Sequence, residues 1–91
     1  VDATNTHVEQ AHDAGIQEDV LRFLETQTKR SWDPHADLFA AGGLSSLFAM
    51  QLVVFLEQTY AIAIRGKDLR LDNFRTVVNM VALVERLGGD Q

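Results

Sequence analysis

The 91-residue sequence has no cysteine, a single proline, one tryptophan and one tyrosine, and few basic residues to set against its acidic ones. Without cysteine the chain forms no disulfide, builds no thiolate metal site and offers no thiol nucleophile of its own. No apolar run reaches the length of a membrane span, because Gln51 and Glu57 interrupt the longest one. The opening Val-Asp-Ala-Thr-Asn-Thr-His lacks the basic start and apolar stretch of a signal peptide, so the chain is expected in the cytoplasm with no membrane partner. A formal net charge of −5 weighs against nucleic acid as a partner. His7, His12 and His35 show no i, i+4 ligand spacing and no acidic or thiol constellation, so no metal is expected and all three read as surface residues. The length makes one small domain, too short for a cleft between two subdomains, which weighs against an enzyme.

What is present is apolar periodicity of helical type. Residues 1–12 are polar and aperiodic and read as a flexible tail, leaving 13–88 as the domain and 89–91 as a C-terminal tail. Ile16, Val20, Phe23 and Leu24 fall on one stripe and predict a first helix to about Lys29, with Asp13 as a plausible N-cap. Residues 30–45 form the longest connection. Pro34 stops the helix, while Trp32, Leu38, Phe39 and Leu44 are apolar enough that this loop must fold back onto the core. A second helix is expected from Ser46 to about Thr59, with apolar residues almost all round it, so that one apolar face meets the core while another is either exposed as a docking surface or buried under the long loop, a choice periodicity leaves open. Tyr60 to Ile64 reads as an extended connector and Gly66 to Leu71 as a short helical turn. Asn73 or Thr76 then caps a last helix, striped by Val77, Val78, Met80, Val81, Leu83 and Val84 and ending before Gly88-Gly89. Three main helices and one short one around a single core make an all-α bundle.

Chemistry concentrates at Gly42-Gly43-Leu44-Ser45-Ser46-Leu47. Two glycines let the chain turn sharply, and a helix start supplies unpaired N–H groups and partial positive charge that suit a phosphate. A serine there is placed to hold a phosphodiester. It is equally placed to cap the helix, the ordinary use of serine before an apolar run. The hexapeptide alone leaves both open.

The order of the pieces around it resembles the acyl carrier proteins. The resemblance covers about Ile16 to Leu87. It includes Asp37-Leu38-Phe39, Gly43-Leu44-x-Ser46-Leu47, the apolar second helix, Tyr60-x-Ile62-x-Ile64 and Asn73-Phe74-x-Thr76-Val77. It implies a four-helix carrier fold, with 4'-phosphopantetheine from coenzyme A attached covalently at Ser46, the serine followed by leucine. No catalytic residue is implied; the chain would act as a covalent shuttle. The sequence departs from the family at Ser45, where an Asp usually stands, so an acidic contact for the modifying transferase is missing. Within the family, Ser46 to Val53 and Asp68-Leu69-x-Leu71-x-Asn73-Phe74 look most like the free-standing carriers of unusual polyketide extender units, of methoxymalonyl, hydroxymalonyl or aminomalonyl type.

That resemblance implies as partners a phosphopantetheinyl transferase, acyl-loading and tailoring enzymes, an acyltransferase and a polyketide synthase, met by a monomeric carrier. Leu47, Met50 and Val54 would make the apolar docking contact, and Arg65, Lys67 and Arg70 a basic patch able to meet an acidic partner or the arm's phosphate. An aminoacyl or peptidyl carrier of nonribosomal peptide synthesis would suit the missing Asp and weakly acidic second helix as well. An unmodified helical interaction domain, with Ser46 only a cap and Phe48, Met50 and Phe55 on a partner helix, is the rival from another class. A hydrolase using Ser46 fits poorly, since His35 is the only base near it in sequence and nothing orients it.

Overall fold

The stripe of Ile16, Val20 and Leu24 recurs every fourth residue, and all three side chains are fully or nearly fully buried. They belong to α1 (Asp2–Thr28), which packs most heavily against α3 (Val77–Gly88), with α2 (Ser46–Tyr60) closing the bundle. The structure, a computed structural model, describes residues 2–40 and 43–88, with side chains from Gly15 onward. Two 3-10 turns, Gly66–Asp68 and Leu71–Phe74, connect α2 to α3, and no strand occurs among the described residues. The fold is thus the all-α arrangement expected, with two 3-10 turns in place of one short helix. Among the described residues no helix is long and apolar enough to cross a membrane.

Four boundaries differ from expectation, one of them by a single residue at α2, which takes in Tyr60 from the expected connector. α1 begins at Asp2, so helical backbone covers the stretch expected as a tail and runs through Asp13, which therefore does not cap it. Residues 2–12 contain neither glycine nor proline and include Ala3, Glu9, Gln10 and Ala11, good helix formers that continue a helix started elsewhere. At its other end α1 stops at Thr28, where Lys29 turns left-handed with φ 63° and its N–H donates to the Glu25 carbonyl at 2.8 Å. α3 ends on Gly88, one residue beyond the expected stop; Gly89 lies outside the described residues.

The long connection is built as an apolar strap. Leu38 is fully buried, and Trp32, Phe39 and Leu44 pack partly buried against the same core. Backbone bonds tie the strap to the start of α3: the Leu38 N–H donates to the Arg75 carbonyl at 2.8 Å and the Val78 N–H to that of Pro34 at 3.1 Å. The Arg75 guanidinium adds contacts to Asp37 at 3.3 Å and Asp72 at 3.0 Å. Trp32 is an anchor, its Nε1–H donating to Thr28 Oγ1 at 2.8 Å with the Arg30 guanidinium 4.0 Å above its ring. The strap then tightens, with Leu44 N–H donating back to the Leu38 carbonyl at 2.6 Å. A Cβ on Gly43 would strike that same Leu38 carbonyl and lie 2.8 Å from the Ala40 carbonyl oxygen, so only glycine fits this turn.

At the far end of α2, Ala61 turns left-handed (φ 55°) and the Tyr60 hydroxyl donates to Asp19 Oδ2 at 2.9 Å, pinning α2 to α1. Burial, reinforced by this hydrogen bond, pushes the Tyr60 hydroxyl well above its ordinary pKa, so it stays a donor. Phe23 stacks on Phe55 with ring centroids 4.3 Å apart. α3 is capped by Thr76, whose Oγ1 accepts the Asn79 N–H at 3.0 Å. Asn73, the other candidate cap, instead donates from its side chain to the Asp68 carbonyl at 2.8 Å and staples the two 3-10 turns together.

Candidate functional site

The two adjacent serines have separate fates. Ser45 has extended backbone (φ −83°, ψ 162°) and is the N-cap of α2, its Oγ accepting the Phe48 N–H at 3.2 Å. Ser46 is the first helical residue; its side chain is exposed, and among the described residues its hydroxyl has no hydrogen-bond partner. Capping and presentation, the two uses open to a serine here, are thereby divided between neighbours. The Ser45 carbonyl receives the N–H groups of Phe48 and Ala49, at 3.0 and 3.3 Å, while those of Ser46 and Leu47 find no backbone acceptor among the described residues. The exposed hydroxyl therefore stands at the positive end of α2.

Around it the surface is apolar. Leu47 is 72 % exposed, Met50 54 % and Val54 47 %, while Leu52 and Leu56 on the opposite side are fully buried. Glu57, the only carboxylate of α2, is turned away from this face, accepting the Ile64 N–H at 2.8 Å. The exposed side of the helix is thus uncharged. Beside Ser46 a shallow cavity of about 160 Å³ opens between α2 and the second 3-10 turn, lined by Ala49, Met50, Val53, Leu69, Leu71 and Phe74, with Arg70 at its edge.

Of the residues expected at the site, the fold brings Ser46, Met50 and Arg70 to this one cavity. Lys67 stands with Arg70 on a neighbouring polar recess, and Arg65, exposed, precedes the first 3-10 turn without lining either. Leu47 and Val54 lie on the open flank of α2. Sequence reasoning missed Leu69 and Leu71, both exposed apolar residues facing the cavity (47 % and 42 %), and Arg86, which reaches the recess from α3. The signal for the leucines was their i, i+2 spacing across Arg70, which a helical-turn reading conceals. His35 makes no side-chain hydrogen bond to Ser46 among the described residues.

An exposed serine at a helix start, with an apolar cavity and a cation beside it, suits a phosphodiester followed by a flexible, partly apolar chain. A family model described as a phosphopantetheine attachment site matches residues 14–84, a span that holds Ser46 and every residue of the cavity. No curated protein and no solved structure matches the chain.

Proposed function

The chain belongs to the phosphopantetheine-attachment family of carrier domains, and from that premise we propose that Ser46 is the residue bearing its arm. Members of the family hold 4'-phosphopantetheine covalently and act as non-catalytic shuttles, served by a phosphopantetheinyl transferase and by partner enzymes. The contrast between the serines carries the assignment: Ser45 Oγ is engaged as the N-cap, whereas Ser46 Oγ is exposed and has no partner among the described residues.

When bound, the arm supplies a terminal thiol on which an acyl group is held as a thioester. The protein's own residues do the rest. Ser46 Oγ would give its proton to a base of the transferase and form the bond to the phosphorus on the pantetheine side of coenzyme A, while the pyrophosphate bond breaks and adenosine 3',5'-bisphosphate leaves. The amides of Ser46 and Leu47, which have no backbone acceptor among the described residues, and the α2 dipole then favour the resulting negative charge. Leu47, Met50 and Val54 offer the apolar docking contact, rimmed by Arg65, Lys67 and Arg70. The body of the domain holds the arm's root in a fixed direction and raises the local concentration of cargo at whichever enzyme is docked.

We read the cargo as a short polyketide extender unit of the methoxymalonyl, hydroxymalonyl or aminomalonyl type. The support is the resemblance of Ser46 to Val53 and Asp68 to Phe74 to such carriers. Incubation with coenzyme A and a broad-specificity phosphopantetheinyl transferase should add one arm to the wild type and to Ser45→Ala, and none to Ser46→Ala. A mass gain retained in Ser46→Ala would overturn the assignment. Mass spectrometry of the acylated carrier from its producing cells identifies the cargo: a carboxyacyl group supports the extender reading, and an aminoacyl or peptidyl group replaces it with a peptide-synthesis carrier.

A further inference from the structure

Leu69 and Leu71 are exposed apolar side chains set among charged ones, Lys67, Asp68, Arg70 and Asp72, and both line the cavity beside Ser46. Arg70 between them has extended backbone (φ −126°, ψ 141°), which puts side chains two residues apart on one side of the chain. Neither leucine is among the residues packed against the core. The segment keeps its shape without them, since the Asn73 side chain donates to the Asp68 carbonyl at 2.8 Å across the pair. The opposite wall of the cavity is Met50, one turn beyond Ser46 on α2, whose side chain leans back toward the helix start as helical side chains do. The floor is core, made by the buried Val53 and Phe74. The result is an open apolar trough with a packed floor and solvent-facing walls, and Ser46 is part of its lining.

Whatever is attached at Ser46 Oγ starts inside this lining, so the tether decides what meets the trough. A phosphopantetheine arm begins with its phosphodiester and continues into a carbon bearing two methyl groups; a hydroxyl, two amides and the thiol follow. Three chain bonds span at most about 3.6 Å, so the dimethyl carbon stays within about 5 Å of Oγ. That is close to the rise of one helical turn, about 5.4 Å, which separates Ser46 from Met50. The cargo, by the same measure, sits at the end of about 17 Å of extended arm and can leave the trough entirely. The branched hydrocarbon nearest the attachment point cannot. A tethered group meets its site at high effective concentration, so an apolar contact too weak to hold a free ligand suffices here.

We propose that Leu69 and Leu71 form a seat for the root of the arm, receiving its dimethyl group in the trough beside Ser46. The proposal rests on Ser46 bearing the arm. Two consequences follow for the carrier. The arm leaves Ser46 in a preferred direction, toward the second 3-10 turn, while its distal part and the cargo stay free to enter an enzyme. Attachment also covers leucines that the unmodified chain exposes, so loaded and unloaded carrier present different surfaces to a partner.

The test is nuclear magnetic resonance on isotope-labelled chain loaded from coenzyme A or from an analogue whose dimethyl carbon is a plain methylene, each product checked by mass. On wild type the arm's two methyl groups should give nuclear Overhauser contacts to the Leu69 and Leu71 methyl groups, and the leucine signals should shift from their unloaded positions. With the methylene arm the leucine signals should stay in place, while the Ser46 and Leu47 amides still move as the phosphodiester arrives. The double variant Leu69→Ser, Leu71→Ser should melt like wild type, accept the arm, and return the arm's methyl signals to their positions in free coenzyme A. Leucine signals unmoved on fully loaded wild type would overturn the seat and leave the attachment at Ser46 standing. Equal leucine shifts with both arms would assign the response to the phosphodiester, and contacts that appear only with an acyl group would give the trough to the cargo; either overturns the proposal. Absence of any mass gain at Ser46 would overturn the attachment reading, and this proposal with it.

Discussion

The two sides of α2 are made of the same kind of residue and meet opposite fates. Ala49, Leu52, Val53 and Leu56 are buried on the side of α2 that meets the rest of the bundle, where the second 3-10 turn and α3 pack against it, while Leu47, Met50 and Val54, interleaved with them, stand in solvent. Hydrophobicity alone does not separate the sides, because between Leu47 and Leu56 only Gln51 is polar. Geometry separates them: the bundle can cover only one side of a helix this short. The uncovered side keeps its apolar character, and the helix's single carboxylate, Glu57, is spent on the Ile64 N–H. A surface left both apolar and uncharged beside an exposed serine is costly in solubility and useful only for contact.

The comparison is tested most severely by truncation. Leu56→Ala, on the buried side, should cost roughly 2–5 kcal/mol, a large share of the stability of a small domain. Leu47→Ala, on the open side, should change stability by no more than about 0.5 kcal/mol. Urea melts with equal losses at the two positions would break the two-sided description of α2. Next in size is Gly43→Ala, expected to cost about 1–3 kcal/mol because the new methyl group meets the Leu38 and Ala40 carbonyls rather than a movable side chain. Since that turn aims α2, this variant should also slow modification of Ser46, whereas Leu56→Ala should leave modification of the folded fraction unchanged.

A substitution on the open side should injure function and spare the fold. Met50→Asp introduces a charge into the proposed apolar docking contact, and an unpaired charge buried there costs well over about 1 kcal/mol. Acyl transfer from Met50→Asp should fall about tenfold or more, with a melting curve close to that of wild type. A silent Met50→Asp would move the docking contact off this side of the helix.

Much of this was legible in the sequence, and the exceptions share a cause. Ile16, Val20 and Leu24 announced α1 by spacing, the apolar strap announced its own burial, and Val77 to Val84 announced α3. Leu52, Val53 and Leu56 supply the core-facing side that the apolar second helix called for. What spacing did not reveal is which polar group satisfies which backbone group. Thr76 rather than Asn73 caps α3 because Asn73 is drawn to the Asp68 carbonyl, a bond visible only once two 3-10 turns replace one helix. The division of work between Ser45 and Ser46 depends likewise on the backbone angles of Ser45. The extension of α1 to Asp2 has no apolar stripe behind it, and periodicity is silent about a helix continued by propensity. The shared border of the two cavities at Arg70 joins residues from α2, both 3-10 turns and α3, and no local pattern encodes it.

The serine pair gives a smaller test. Ser45→Ala removes the acceptor of the Phe48 N–H and should cost about 1 kcal/mol while Ser46 still accepts the arm. Ser45→Asp keeps a side-chain oxygen in the same place and adds a negative charge at the helix start, so stability should hold or rise slightly. It also restores the acidic contact that the carrier family usually presents, and modification by transferases of primary metabolism should improve.

The smallest expected effect concerns salt, and it is the one that weighs the apolar side of α2 against the basic rim. Arg65, Lys67 and Arg70 are all exposed, and exposed charges contribute about 0–1 kcal/mol each at a contact and are weakened by ions. The apolar contribution of Leu47, Met50 and Val54 is indifferent to such changes and strengthens, if anything, with added salt. Acyl transfer should therefore fall by less than about threefold between low and physiological ionic strength, far less than the loss produced by Met50→Asp. Should transfer collapse with modest salt while Met50→Asp changes nothing, the ranking reverses: docking is then electrostatic and centred on Arg65, Lys67 and Arg70, and the uncovered side of α2 is needed for some other contact.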